Sequence, residues 1–227
     1  MNHVRFTFFT YCKLRLGKDL EMQLRRFVSD ELSSDMSGHG VLHAERVVQN
    51  ARHILKKETG NEKITITAAY LHDCIDHKLF TDVQPQIAKV SGFLAKLQYT
   101  DSEIAQILYI MENISFSSEK SKNLSTIEAK IVCDADRLDA LGAVGIIRTI
   151  EYGTTKGRMF YNGGTDVENG LNGRIGKIDK ASSLAHFYEK LLRLEDLMFT
   201  QRAKTLAQER TEFMKNFLTQ FYKECSL

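Results

Sequence analysis

The sequence predicts an all-α protein. Apolar residues recur three and four positions apart over long stretches, which is the spacing of amphipathic helices. Only one proline, Pro85, occurs in 227 residues, and its scarcity favours long helices because proline interrupts them. No stretch of any length alternates apolar and polar residues as a half-buried strand would.

The composition is that of an ordinary globular protein. Hydrophobic residues make up 43% and charged residues 26% of the chain, whose length suits one generous domain. We expect residues 21–227 to form this domain and residues 1–20 to be an N-terminal extension of unclear role. The net charge of +2 is too small to indicate a nucleic-acid or membrane partner. Without an apolar run that could span a membrane or a cleavable leader, we expect a cytoplasmic protein.

The apolar periodicity and the helix-capping signals place each helix in turn. A helical pattern covers residues 18–32, 41 to about 60, 63–76, 85–97, 104–110 and 124–150, and two further helices fit within residues 183–222. Thr100 and Asp101 offer an N-cap for the fifth helix, and Gly142 and Gly145 allow a bend or a close approach in the sixth. Residues 113–123 and the glycine-rich residues 153–176 are predicted loops.

The third helix carries an unusual polar group. Residues 68–77 read AAYLHDCIDH, in which His72, Asp73 and Asp76 interrupt an apolar sequence typical of a buried helix. In a regular helix Asp76 lies one turn beyond His72 and projects from the same side. Buried carboxylates need a counter-charge, and imidazole with carboxylate suits a divalent metal ion.

Two other helices offer further ligands. His43 lies at the upper end of the apolar stripe of the second helix, and CDADRLDALGA in the sixth contains Asp134, Asp136 and Asp139. Three aspartates on a buried helix must pair or bind something, and we expect Arg137 to pair with Asp134 or Asp139. Each feature alone has an ordinary explanation, either a hydrogen-bonded core histidine or a solvated acidic face. Their combination favours a metal site.

The four cysteines do not indicate a zinc or redox site. Cys12, Cys74, Cys133 and Cys225 are widely spaced and include no Cys-x-x-Cys pair. We therefore expect buried, reduced thiols.

Three motifs resemble the HD-domain metal-dependent phosphohydrolases. They are GHGVLHAERV around His43, LHDCIDHKLF around His72 and Asp73, and DADRLDALGA around Asp136. The stretches NISF, GIIRTIEYG and HFYEKLLRLEDLM are similar to the bacterial branch that includes nucleoside triphosphate pyrophosphohydrolases. The resemblance covers about residues 20–225 and implies an HD-domain helical bundle. The chain departs from the branch at Gly40, which replaces an aspartate after His39.

The resemblance and the residue chemistry agree on an N2O2 ligand set, which consists of His43, His72, Asp73 and Asp136. Such a set leaves open positions on an octahedral ion, whereas a closed structural zinc site would favour cysteine. We expect manganese, with magnesium, cobalt, nickel or iron as other candidates.

The expected reaction is metal-assisted hydrolysis of a phosphorylated small molecule. The ion would lower the pKa of a coordinated water, and Asp76 would accept the proton of that water. His39, Arg46 and Lys78 are candidates for binding substrate phosphates.

We expect the hydrolysis of a nucleoside triphosphate to a monophosphate and pyrophosphate. A phosphomonoesterase, a cyclic-nucleotide phosphodiesterase and a nucleotide-binding protein with weak catalysis are the alternatives. The sequence leaves open whether the protein is a monomer or a dimer, and whether residues 153–176 form a lid.

Overall fold

A computed structural model describes residues 17–33, 40–77, 79–114, 121, 123–161 and 182–225. Within these ranges every regular element is helical, so the prediction of an all-α fold is confirmed. The helices are α1 (Lys18–Glu31), α2 (Val41–Leu55), α3 (Glu62–Leu71), α4 (Gln84–Lys96), α5 (Asp101–Asn113), α6 (Ile127–Asp139), α7 (Gly142–Thr155), α8 (Ser183–Glu189) and α9 (Gln201–Cys225).

Helix α3 is the centre of the bundle. It contacts α1, α2, α5 and α6, and all residues from 64 to 71 are buried. Its start is fixed by Asn61, whose side chain accepts a hydrogen bond from the Ile64 N–H. Helix α2 packs along both α3 and α6, so the three helices that carry the predicted ligands are neighbours.

The third helix ends earlier than predicted. Helix α3 stops at Leu71, a 3-10 turn follows over His72–Ile75, and Asp76 has an extended backbone with φ −73° and ψ 126°. At the start of this turn the His72 imidazole donates a hydrogen bond to the Ala69 carbonyl. Because a 3-10 helix rises about 2.0 Å per residue against 1.5 Å in an α-helix, the turn carries the chain further along the axis from His72 to Asp76 than a continued α-helix would.

The apolar stretch 124–150 is two helices instead of one. Helix α6 ends at Asp139, and α7 begins at Gly142, whose φ of 70° is in the left-handed region that favours glycine. A Cβ atom on Gly145 would lie 2.2 Å from the carbonyl oxygen of Ala140, so the two helix ends meet only because this residue is glycine. The predicted bend and close approach are confirmed.

The C-terminal region is more irregular than the two predicted helices. Helix α8 has 7 residues, two 3-10 turns follow over Leu191–Arg193 and Glu195–Leu197, and α9 extends over 25 residues. The Asp134 carboxylate accepts hydrogen bonds from the N–H groups of Phe199 and Thr200 and from the Thr200 hydroxyl. A buried aspartate of α6 therefore fixes the start of α9.

The predicted cap of the fifth helix is confirmed, although α5 is longer than expected at both ends. Thr100 accepts from the Glu103 N–H, and the Glu103 carboxylate accepts from the Thr100 N–H. The loops predicted at 113–123 and 153–176 lie largely outside the described residues, as do residues 1–16 of the predicted extension. Helix α7 takes up the first residues of the second loop.

Two of the three described cysteines match the prediction. Cys74 and Cys133 are buried free thiols, whereas Cys225 at the end of α9 is exposed, so its predicted burial is wrong; Cys12 is not described. Among the described helices, none is both long and apolar enough to cross a membrane.

Candidate metal centre

Helix α2 carries His43 into the core. Its buried positions follow the helical period, and His43 is 2% exposed. The Nδ1 atom of His43 lies 2.7 Å from Oδ2 of Asp139. Because a carboxylate only accepts hydrogen bonds, Nδ1 is the protonated nitrogen and Nε2 presents a lone pair.

The 3-10 turn fixes the tautomer of His72 in the same way. Its Nδ1 donates to the carbonyl oxygen of Ala69 at 2.9 Å, so Nε2 carries the second lone pair. The next residue, Asp73, is also buried, with Oδ2 at 3.4 Å from Nε2 of His72.

Four acceptor atoms converge between α2, the 3-10 turn and α6. The Nε2 atom of His43 lies 3.2 Å from Nε2 of His72 and 3.4 Å from Oδ2 of Asp73. The Oδ1 atom of Asp136 lies 3.4 Å from Nε2 of His43 and 3.9 Å from Nε2 of His72. Lone pairs this close repel one another unless a cation lies among them.

A divalent metal ion fits this donor set. Ligand atoms bound about 2.1 Å from one ion lie about 3.0 Å apart at neighbouring octahedral positions and about 3.4 Å apart in a tetrahedron. Four of the five separations given above, 3.2 to 3.4 Å, are of that size, and the fifth, between Nε2 of His72 and Oδ1 of Asp136, is longer at 3.9 Å. Two imidazoles and two carboxylates without a thiolate suit a transition ion such as manganese.

In the metal-free protein a proton takes the place of the ion. Burial lowers the pKa of His43, but hydrogen bonds to Asp136 and Asp139 and the charge of Asp73 outweigh it and raise the pKa to about 9. Desolvation opposes the ionisation of Asp136, yet the hydrogen bond from His43 and the adjacent His72 hold the pKa of Asp136 far below its ordinary value. The acceptors therefore bind a cation of one kind or another.

The donors open into a cleft. His72, Asp73 and Asp136 form part of the lining of a cavity of about 960 Å³, which extends over α4 and α5 on one side and over α7 and α8 on the other. Asp76 also lines the cleft, and neither Asp76 nor Asp136 belongs to the compact group of His43, His72 and Asp73.

Comparisons with known proteins decide the family. Residues 41–141 match the HD domain family. The uncharacterized protein YpgQ of Bacillus subtilis is 37% identical over 204 residues, covering 89% of this chain and 92% of YpgQ. The crystal structure of Bacillus subtilis YpgQ in complex with ADP, at 36% identity, gives a TM-score of 0.72 and covers 89% of this chain and 96% of that chain. An HD-superfamily hydrolase from Bacillus thuringiensis, 39% identical, covers 89% and 95% with a TM-score of 0.70.

The chain belongs to the HD superfamily. It is a metal-dependent hydrolase, because HD domains bind divalent metals and the family's histidine and aspartate cluster is present here. The predicted superfamily is confirmed, while the nucleoside triphosphate branch stays a prediction.

Asp139 holds the HD centre in place from behind. It accepts hydrogen bonds from Nδ1 of His43 at 2.7 Å, from Nε and Nη2 of Arg46 at 2.7 and 3.0 Å, and from Nη1 of Arg148 at 2.7 Å. Burial raises the pKa of Asp139, but the hydrogen bonds from His43 and Arg46 lower it to about 2. An ionised carboxylate behind a ligating histidine orients the ring and makes it a stronger ligand.

Of the three predicted phosphate-binding residues, the structure describes only Arg46. The Arg46 guanidinium is engaged with Asp139 and does not line the cleft; it lines a separate cavity of about 300 Å³. His39 and Lys78 lie outside the described residues.

Arg137 pairs with neither predicted aspartate through a hydrogen bond, because its Nη1 donates to the Leu197 carbonyl and its guanidinium lies 5.1 Å from the centre of the Phe199 ring. This expectation was therefore wrong, although Arg137 does lower the pKa of Asp134 by its charge, against the larger effect of burial.

The contribution of two residues was missed in the sequence. The sequence predicts Asp139 as one of three inward aspartates and as a partner for Arg137, but not as the acceptor behind His43, although its position three residues after Asp136 puts both on one helix face. Arg148 gave no signal, because its approach to Asp139 depends on the break between α6 and α7 at residues 140–142.

The raised pKa of His43 predicts that metal affinity depends on pH. Below pH 9 the ion must displace a proton from His43, so affinity for Mn²⁺ should rise about tenfold per pH unit between about pH 6 and 8 and level off above 9. Isothermal titration in buffers of different ionisation enthalpy should show about one proton released per ion bound over this range. An affinity for Mn²⁺ that does not change with pH would contradict the interpretation that the ion displaces a proton from His43.

Proposed function

We propose that this HD hydrolase acts on nucleotides and converts a nucleoside triphosphate to a monophosphate and pyrophosphate, with manganese as its ion. The observation that carries the proposal is that three of the four donors, His72, Asp73 and Asp136, line a cleft large enough for a nucleotide. The cavity of about 960 Å³ is at the upper end of the range of about 300–1,000 Å³ typical of small-molecule sites.

A relative supports the same class of ligand. The YpgQ crystal structure, which covers 89% of this chain at 36% identity, is a complex with ADP. ADP carries a base, a ribose and a diphosphate, so a relative with this fold binds a phosphorylated nucleoside.

The residues of this chain have distinct tasks in the proposed reaction. His43, His72, Asp73 and Asp136 would hold the ion, which supplies Lewis-acid polarisation of a phosphoryl oxygen and a lowered pKa for bound water. Asp139 keeps His43 in the tautomer that presents Nε2. The burial of His43, His72 and Asp73 excludes bulk water from this side of the centre.

In the proposed reaction Asp76 receives the proton of the water. It follows the 3-10 turn and lines the cleft beside the ligand pair, but the extra rise of that turn separates it from His72. A carboxylate at the rim of the centre can accept the proton of the attacking water without occupying a ligand position.

The proposal is tested by a screen of nucleotides and phosphate esters with Mn²⁺, Mg²⁺, Co²⁺ and Ni²⁺, with identification of the phosphate species released. We expect pyrophosphate from a nucleoside triphosphate, with the highest rate in Mn²⁺. Orthophosphate from monoesters would make the protein a phosphomonoesterase, opening of a cyclic nucleotide would make it a phosphodiesterase, and binding without turnover would make it a nucleotide-binding protein.

The ligand assignment predicts that His72→Ala and Asp73→Ala each lose bound metal and reduce hydrolysis to background, because the remaining donors cannot hold the ion. Metal content by elemental analysis and turnover measured on the same samples check this. His53→Ala is the matched control, since His53 is an exposed histidine of α2 that does not line the cleft. Full activity in either ligand variant would contradict the assignment.

The base assignment predicts a different result for Asp76→Asn. This variant should keep its metal and lose turnover by about 100-fold or more, the usual scale for a missing general base. Turnover at saturating substrate and metal content together check this. Loss of metal from Asp76→Asn would instead make Asp76 a ligand.

A further inference from the structure

The cleft has two chemically different walls. The first wall comes from residues 75–114 and is mostly apolar; its apolar lining residues are Ile75, Val83, Ile87, Met111 and Ile114. The second wall comes from residues 145–194 and carries the nitrogen-bearing side chains of Arg148, Arg158, His186 and Lys190. The metal-binding donors lie between the two walls.

The charged side chains are also divided between the two walls. Among the described lining residues, every lysine and arginine belongs to the second wall except Arg137, which is on α6. The first wall instead carries the carboxylates of Asp76 and Glu112, with His77 as its one described side chain able to become cationic. A polyphosphate chain with several negative charges is therefore attracted to the second wall and repelled from the first.

Helix α7 sets the spacing of the positive groups. Arg148 is anchored beside the metal centre by its 2.7 Å contact with Asp139. Gly153 lies five residues further along the helix, which is about 7.5 Å at 1.5 Å per residue. The backbone N–H of Arg158 donates to the Gly153 carbonyl at 2.8 Å, so the chain folds back and places Arg158 at that level. The basic groups thus continue away from the ion along one wall.

Helix α8 adds two more groups to the same place. Burial and the adjacent Lys190 lower the pKa of His186, and Arg158 acts in the same direction while Glu189 opposes it. Lys190 and Arg158 therefore both lie near enough to His186 to disfavour a positive charge on it. An anion bound beside the three side chains would interact favourably with the two cations.

We infer that the second wall binds the β- and γ-phosphates of a nucleoside triphosphate, while the nucleoside lies against the first wall. Arg158 and Lys190 are the main contacts to the terminal phosphates. The inference rests on the proposed function and identifies which end of the cleft receives which end of the substrate.

This orientation places the α-phosphate at the donors. The oxygen of water forms a bond to the α-phosphorus, and the bond from that phosphorus to the bridging oxygen breaks. The electron pair of the broken bond stays on the bridging oxygen, and pyrophosphate leaves along the second wall. The displaced proton of water passes to Asp76. Arg148 is the link between the wall and the metal centre, because it contacts Asp139 as well as the cleft.

The test compares a triphosphate with a monophosphate. Binding of the α,β-methylene analogue of ATP, which cannot be cleaved at that bond, and of AMP is measured by calorimetry with excess Mn²⁺. We expect Arg158→Gln and Lys190→Gln each to weaken binding of the analogue about tenfold, as for the loss of one charge-assisted contact. AMP binding should change less than about twofold, because the first wall is intact. Inhibition by pyrophosphate should weaken in parallel with the analogue.

Arg193→Gln is the matched control. It removes the same charge from an exposed residue that follows Lys190 by three positions and does not line the cleft. Binding of the analogue and of AMP should both stay unchanged. Two results would overturn the inference: binding of the analogue and of AMP weakened to the same extent, or binding of the analogue unchanged in both variants. If the wild-type protein releases pyrophosphate, the proposed function stands in either case. Wild-type protein that binds the analogue selectively through Arg158 and Lys190 but releases no pyrophosphate would overturn the function and keep the binding wall. Absence of any binding of the analogue to the wild-type protein would overturn both.

Discussion

Four lone pairs directed at one point are the constraint on which this structure depends. The Nε2 atoms of His43 and His72 lie 3.2 Å apart, and carboxylate oxygens of Asp73 and Asp136 are almost as close. No hydrogen-bond pattern among four acceptors satisfies them without an added cation. The polar centre where α2, α3 and α6 meet therefore requires an ion or a proton among its acceptors.

The aspartates of α6 divide the work of supporting that point. Asp134 accepts the N–H groups that begin α9, Asp136 faces the donors and the cleft, and Asp139 accepts from His43, Arg46 and Arg148. A helix turns by about 100° per residue, so Asp134 faces away from Asp136, whereas Asp139 lies one turn further on nearly the same face. Burial of Asp134 and Asp139 is acceptable because each has its own set of hydrogen-bond donors, and Asp136 is partly exposed.

The sequence predicted the all-α architecture, and the structure brings the four predicted ligands close together. Helical periodicity identified α2, α3 and α6, because burial of one stripe leaves a strong signal along the chain. Asp76 was placed by the same periodicity, which fails where α3 tightens into a 3-10 turn around His72 and Ala69. Arg148 lies outside what periodicity can show, because it depends on the break before Gly142. Such contacts depend on how the helices are placed relative to one another, and the periodicity of the sequence does not show that placement.

The two walls of the cleft are encoded in separate, nearly contiguous stretches of the chain. One is built from residues 75–114 and the other from residues 145–194, with the metal ligands outside both stretches. Recognition of each half of a ligand can thus be inherited as a block. A crossover within the segment 115–126 would take α2, the 3-10 turn and the apolar wall from one parent and α6 with the basic wall from the other. The resulting chain would join one half of the ligand site from each relative, and its metal centre would form wherever both parents carry the four predicted ligands.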